Sequence, residues 1–234
     1  MIKLNYKKKK LLLLQRNELL TERQKWTRKK FGRYLFTNFF INYNQNKDIE
    51  LNVENLFKNE IATFKNFLPK SINSIMDIGC GLGIINIFLN KFYNNKPIFY
   101  LLDKNRIDRK ISYGFSSNYE SYNNLSETKD ILLNNNIDKD QIHLFDVDKE
   151  IKINNQIDLV ISLKSMGYHY PLEGYLKLFR KICNENTIFI FDVSDGYYKE
   201  DLFKKYFEKI QIIHEEKSIH SMKRLYCVGL KLYA

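Results

Sequence analysis

Residues 75–83 read Ile-Met-Asp-Ile-Gly-Cys-Gly-Leu-Gly. Gly79, Gly81 and Gly83 alternate with Cys80 and Leu82, and an acid, Asp77, stands two residues before the first glycine. Glycines at this spacing let backbone approach a ligand, because a Cβ would block the tight turn or the contact. A short apolar run precedes the turn, and apolar positions of helical spacing follow at Ile84, Ile85, Ile87, Phe88 and Leu89. Strand, glycine turn and helix in that order bring backbone to a ligand at a helix N-terminus. A second apolar run, 97–102, ends at Asp103, twenty residues after Gly83. An acid at that strand end accepts two hydrogen bonds from a ribose diol; the plainer alternative is a strand-terminating turn acid. A third run, 141–145, ends at Asp146, and another, 187–191, ends at Asp192. Between them, 157–163 leads into Ser162-Leu163-Lys164-Ser165-Met166-Gly167-Tyr168-His169-Tyr170-Pro171. His169, between two tyrosines and before a proline, is the candidate general base, since an unperturbed imidazole titrates near about pH 6.5. Its other role is a structural hydrogen bond that fixes the loop. Lys164 is the candidate to neutralise an anionic substrate or a developing oxyanion, or else a solvated loop lysine.

The elements that must position these residues follow from periodicity. From Ile75 onward strands and helices alternate, which predicts a parallel sheet with right-handed crossovers. Val53, Leu56, Phe57, Ile61, Phe64, Phe67 and Leu68 mark an amphipathic helix over 53–68, stopped at Pro69, that covers the sheet. Residues 1–45 form a basic helical extension with helical periodicity over 11–20 and 26–40, expected to pack over the ligand site or to wall the substrate pocket. Trp26, Arg33, Tyr34 and Phe36 are its informative residues; the competing expectation is that its aromatics only bury it on the core. Residues 104–124 have no simple period and hold Arg106, Arg109, Lys110, Tyr113, Phe115, Tyr119 and Tyr122. A segment of this length and aromatic content is expected to form part of a substrate wall. A helix over 125–133 follows, ended by Asn134-Asn135-Asn136. Glu173 caps the next helix or binds a ligand. The tail predicts a helix over 202–207 and strands over 209–214 and 225–232. Lys223 and Arg224 are anion contacts or part of a solvated edge.

The spacing G-x-G-x-G differs from the dinucleotide fingerprint G-x-G-x-x-G. With Asp77 before it and Asp103 after it, the motif resembles the first motif of class I S-adenosylmethionine-dependent methyltransferases. The resemblance implies an α/β fold: a Rossmann-like, mostly parallel seven-stranded sheet with helices on both faces and a C-terminal antiparallel hairpin. It makes residues 46–234 the methyltransferase domain. It implies S-adenosylmethionine as cofactor and S-adenosylhomocysteine as product, held by Asp77, Gly79, Cys80, Gly81, Gly83, Asp103, Lys104, Asp146, Val147 and Ser162, with Asp146 accepting from the adenine amino group. The Gly-Tyr-His-Tyr-Pro loop is similar to one in small-molecule and sugar O-methyltransferase-like proteins. That implies an in-line transfer to a hydroxyl, with His169 and Lys164 catalytic and Tyr34, Tyr113, Tyr168 and Tyr170 lining or closing the acceptor pocket. An Asn-Pro-Pro-Tyr motif of amino-methylating enzymes is absent. The lysine-aspartate-lysine-glutamate tetrad of cap ribose methyltransferases cannot be placed, since Ser162 and Lys164 stand where its aspartate is needed.

Composition bounds the rest. The chain has 234 residues, 44% hydrophobic and 15% aromatic, enough for one globular domain with a full core. Its formal net charge is +11, which admits RNA or another anionic partner. Heavy use of Asn, Ile, Lys, Tyr and Phe points equally to an AT-rich genome as the source of the lysines. Cys80, Cys183 and Cys227 have no paired spacing, so no disulfide framework or metal site is expected, and a reducing, cytoplasmic setting fits. Leu11 to Leu14 after four lysines fall short of a signal peptide's apolar region, and no stretch approaches a membrane span. The expected partner is a small-molecule or glycan acceptor. The alternatives are an RNA methyltransferase, for which no appended RNA-binding module is recognisable, and a non-catalytic subunit that binds a partner through the basic N-terminus. Against the latter stand the intact glycines and Asp103.

Overall fold

The β-rich, apolar run Ser74–Ile78 forms strand β1, and all five of its residues are buried. It lies at the centre of a sheet whose other strands are β2 (Ile98–Asp103), β3 (Ile142–Asp146), β4 (Leu159–Ser162), β5 (Ile188–Ser194), β6 (Phe207–Glu216) and β7 (Met222–Leu230). The structure is a computed structural model and describes residues 2, 4–43, 47–108, 122–167, 170–217 and 221–231. Among the described residues the sheet has seven strands in the order β3-β2-β1-β4-β5-β7-β6. The first five are parallel; β7 runs antiparallel between β5 and β6. The expected C-terminal hairpin is therefore present. Chain order reverses at β1, whose neighbours are β2 and β4, so a crevice opens outside the carboxyl ends of these strands.

Alternation along each strand divides the core in two. Ile75, Phe99, Leu101, Leu159 and Ile161 face one apolar cluster. It is filled by leucines of α1 (Tyr6–Gln15) and by residues of α4 (Lys47–Ala62), α5 (Ile84–Phe92) and α6 (Leu125–Leu133). Met76, Ile78, Tyr100, Leu102 and Val160 face the other, filled by α7 (Leu176–Ile182) and α8 (Glu200–Tyr206). Helices thus cover both faces, as a buried parallel sheet requires.

The N-terminal helices start and stop where local chemistry dictates. The Asn5 side chain accepts from the Lys8 amide and caps α1. Leu11, Leu12, Leu13 and Leu14 are all buried, so the run that imitates a signal peptide is a helix sunk into the core. The helix expected over 11–20 ends instead at Gln15: Arg16 is extended, and its guanidinium forms a two-pronged ion pair with Glu60 at 2.8 and 3.2 Å. Thr21 and Gln24 make a capping box that opens α2 (Glu22–Phe31), and Gly32, at φ +83°, separates it from α3 (Arg33–Tyr43).

Two further expectations are corrected. The helix expected to run to Pro69 ends at Ala62, because tighter turns take its last carbonyls. Thr63 and Phe64 amides donate to Glu60 and Ile61 carbonyls, and Arg224 donates to the Glu60 carbonyl at 3.2 Å and to the Thr63 hydroxyl. Arg224 is accordingly no solvated edge residue: it is 1% exposed and grips Asp192 through two hydrogen bonds of 2.6 and 2.7 Å.

Candidate functional site

The glycine turn sits at the carboxyl end of β1, at the reversal of strand order. Gly79 and Cys80 amides both donate to the Leu102 carbonyl, which clips the turn to the end of β2. Gly79 and Gly81 have φ of +73° and +54°, a region that L side chains rarely adopt. A Cβ on Gly79 would fall 2.3 Å from the Ser165 Oγ, and one on Gly81 would fall 2.8 Å from the Gln15 Oε1. Glycine here lets the loop after β4 and the end of α1 close directly onto the turn. A Cβ on Gly83 would press on Leu132 and Thr128 of α6, so the third glycine serves helix packing.

Together these elements enclose a cleft of about 330 Å³. Asp77, Gly79, Cys80, Gly81, Asp103, Lys104, Lys164 and Tyr170 line it. The structure therefore brings eight expected site residues to one place. Leu12, Leu14, Gln15 and Arg16 form a wall from α1 and its exit, and Arg33, Tyr122 and Asn123 add to the rim.

Asp103 is the electrostatic centre of the cleft. One carboxylate oxygen accepts from the Gly81 amide at 2.7 Å and the Asn123 amide group at 3.0 Å. The other accepts from the Lys104 amide and the Tyr170 hydroxyl, both at 2.8 Å. Burial raises its pKa, while these four bonds favour the ionised form. Tyr170, expected beside the acceptor, thus lines the cleft with its hydroxyl on the acid at the end of β2.

Asp77 lies below the turn, accepting from the Asn86 amide group at 2.6 Å. Burial pushes its carboxyl up to about 7. A native pKa above the unfolded one means that the folded protein holds the proton more tightly. The stability it contributes is present below about pH 4 and is lost as pH rises through about 7. Denaturant unfolding between pH 4 and 8 is expected to show this downward slope, and Asp77→Asn to flatten it and to be the more stable protein at pH 8. An unchanged slope in the variant would assign the titration to another group.

Lys164 occupies a left-handed conformation, φ +58°. Its amide donates to Asp192, and its amine pairs with Glu18 at 2.5 Å and Glu216 at 3.1 Å. Burial alone would lower its pKa, but the two carboxylates outweigh this and hold it above the usual value. The amine ties the segment after α1 to β6 across the rim of the cleft.

Other expected residues are placed elsewhere. Ser162 is fully buried and donates to the Ile78 carbonyl, tying β4 to β1 outside the cleft lining. Asp146 is paired in register with Asp103; it accepts from the Asp148 amide, and neither it nor Val147 lines the cleft. The Tyr34 hydroxyl donates to the Asp108 carbonyl, and its ring meets Tyr122 edge-on beside the rim. Tyr113, Tyr168 and His169 lie outside the described residues, as do Arg109, Lys110, Phe115 and Tyr119. Sequence reasoning missed Gln15, Asn123 and Ser165, single polar residues in a chain rich in them. Gln15 donates to the Tyr122 carbonyl at 2.8 Å, a contact between positions 107 residues apart that no local pattern encodes.

A family model described as a methyltransferase domain matches residues 49–225. Comparison with curated protein sequences finds no match. Among solved structures, StiE O-MT (residues 961–1257) is similar over 86% of this chain and 82% of its own, at 12% identity and a TM-score of 0.55. A putative O-methyltransferase from Nostoc punctiforme PCC 73102 is similar over 74% of this chain and 57% of its own, at 12% identity and a TM-score of 0.50. Magnesium protoporphyrin IX methyltransferase from Synechocystis PCC 6803, solved with bound S-adenosylmethionine, is similar over 90% and 98%, at 15% identity and a TM-score of 0.48.

Proposed function

The chain belongs to the class I S-adenosylmethionine-dependent methyltransferases, by the domain spanning residues 49–225, and on that premise we propose that it methylates a hydroxyl of a small-molecule or glycan acceptor. One observation carries this reading: α1 and its exit close the glycine turn into a cleft of about 330 Å³. The same cleft holds the cofactor, so what favours a small acceptor is the wall that α1 and its exit raise beside it, whereas a folded RNA needs an open basic face. In this reading α1 and its exit, within the extension of residues 1–45, are the wall that limits acceptor size. The three free thiols, all buried, suit a cytoplasmic enzyme.

The donor set fits the cofactor: the buried carboxylate of Asp103 and the backbone of the turn face one cleft. Asp103, Lys104 and the backbone of Gly79 to Gly81 would hold it. When bound, S-adenosylmethionine supplies an activated methyl group on a sulfonium. The work left to the chain is alignment of the acceptor and removal of its proton. We assign the proton to His169. The loop that carries it is anchored on both sides of that residue. Ser165 donates to the Gly79 carbonyl at 3.2 Å, and the Gly167 amide donates to the Tyr170 carbonyl at 2.9 Å. Lys164, engaged by Glu18 and Glu216, acts as a clasp on the cleft wall.

His169→Ala is expected to bind S-adenosylmethionine as the parent does and to lose about 100-fold in kcat. Calorimetric titration and turnover with hydroxylated metabolites, sugars and RNA check this. Lost cofactor binding would make His169 structural, and methylation confined to RNA would replace the small-molecule reading.

A further inference from the structure

Helices α2 and α3 carry a surface that methyl transfer does not explain. On α3, Phe36, Thr37 and Ile41 are buried. Leu35, Phe39 and Asn42 fall on the opposite side of the helix and are exposed. Leu35 is 71% exposed and Phe39 70%. After Arg33 this helix contains no charged residue, so its outward side is as apolar as its inward side. On α2, Arg28 turns inward to the Leu13 carbonyl. The exposed side carries Trp26, 60% exposed, among Arg23, Lys29 and Lys30. The Lys30 amine lies 4.6 Å from the Trp26 ring centroid. Phe31, 63% exposed, is the last residue of α2, next to Gly32. Across residues 22–43 the basic residues are Arg23, Lys25, Arg28, Lys29, Lys30 and Arg33, against the single acid Glu22.

We propose that α2 and α3 form a docking surface for an anionic membrane surface, on which Trp26, Phe31, Leu35 and Phe39 enter the headgroup boundary and the α2 cations meet lipid headgroups. Tryptophan and phenylalanine beside lysine and arginine suit that boundary, where one side of a helix is apolar and the other wet. Each cation near an anionic leaflet adds to the attraction. The chemistry favours lipid over nucleic acid. Single-stranded nucleic acid calls for cations interleaved with planar rings, and the exposed side of α3 offers an aliphatic leucine, a phenylalanine and no cation. No described helix is long and apolar enough to cross a membrane. Arg33, at the start of α3, lines the cleft, which sets the docked face beside its mouth.

Trp26 is the sole tryptophan of the chain, so its fluorescence reports this surface directly. The full-length protein is mixed with vesicles of equal parts phosphatidylserine and phosphatidylcholine, and separately with phosphatidylcholine alone. The expected result is a blue shift of Trp26 emission and co-sedimentation with the anionic vesicles, at least about tenfold stronger than with the neutral ones. The triple variant Phe31→Ser, Leu35→Ser, Phe39→Ser keeps every charge and keeps Trp26. It is expected to retain S-adenosylmethionine affinity and to lose the blue shift. A general electrostatic attraction of a basic chain survives that substitution, so undiminished binding by the triple variant overturns the proposal. Equal binding to both vesicle types also overturns it. So does a Trp26 response to single-stranded RNA with none to vesicles, which would make the surface a nucleic-acid contact.

Discussion

Asp103→Ala is expected to abolish measurable S-adenosylmethionine binding. Its carboxylate collects the Gly81 and Lys104 amides, the Asn123 amide group and the Tyr170 hydroxyl. A carboxylate offers about four lone-pair directions, so a ribose diol engages this acid by replacing the two side-chain donors. Two hydrogen bonds to a charged acceptor are worth about 3–6 kcal/mol, on the order of 10²–10⁴ in affinity. The substitution also strips the turn of its acceptor and leaves the Gly81 amide without its partner. Calorimetric titration with S-adenosylmethionine and S-adenosylhomocysteine reads the loss, and unchanged affinity would sink the ribose assignment. Tyr170→Phe is the companion measurement. Removing the hydroxyl that competes for Asp103 is expected to tighten cofactor binding by about fivefold. Weaker binding in that variant would mean that Tyr170 holds the cofactor itself.

Arg224→Ala is expected to destabilise the fold by about 3–5 kcal/mol, because it leaves the buried Asp192 carboxylate without its cation. For a chain of this size that corresponds to about 10 °C in the thermal midpoint. The guanidinium reaches Asp192, the Glu60 carbonyl and the Thr63 hydroxyl at once, and Glu60 in turn grips Arg16 at the exit of α1. The wall of the cleft is therefore fastened to β5 and β7 through one chain of ion pairs. Arg224→Lys is expected to recover little, since an ammonium cannot reproduce the two-pronged contact with Asp192. Denaturant melts of both variants test this. A loss below about 1 kcal/mol for the alanine variant, the range of an exposed ion pair, would show that the network bears no weight.

The sequence by itself determined the frame. Apolar runs of strand length ending at Asp103, Asp146 and Asp192, and the glycine triplet after β1, are local signals. Strand period, turn geometry and helix period act over a few residues, and a reader of the chain recovers them without knowing what lies across the cleft. The parallel sheet, its reversed C-terminal strand and the placement of Asp77, Gly79, Gly81 and Asp103 around one cleft all follow from such signals. What only the tertiary structure decided are the long-range polar contacts. Gln15 closes on the glycine turn and on Tyr122, Asn123 and Tyr170 claim the carboxylate of Asp103, and the Lys164 amine is held by Glu18 and Glu216 at the cleft wall. Arg224 shows the same limit. Beside Lys223 on a basic strand it reads as a solvated edge, yet the end of α4 and the carboxyl end of β5 bury it. Such contacts join positions far apart in the chain, and each depends on burial and on the directions of several donors at once, so only the folded chain could choose among the many lysines, asparagines and tyrosines that the sequence offers.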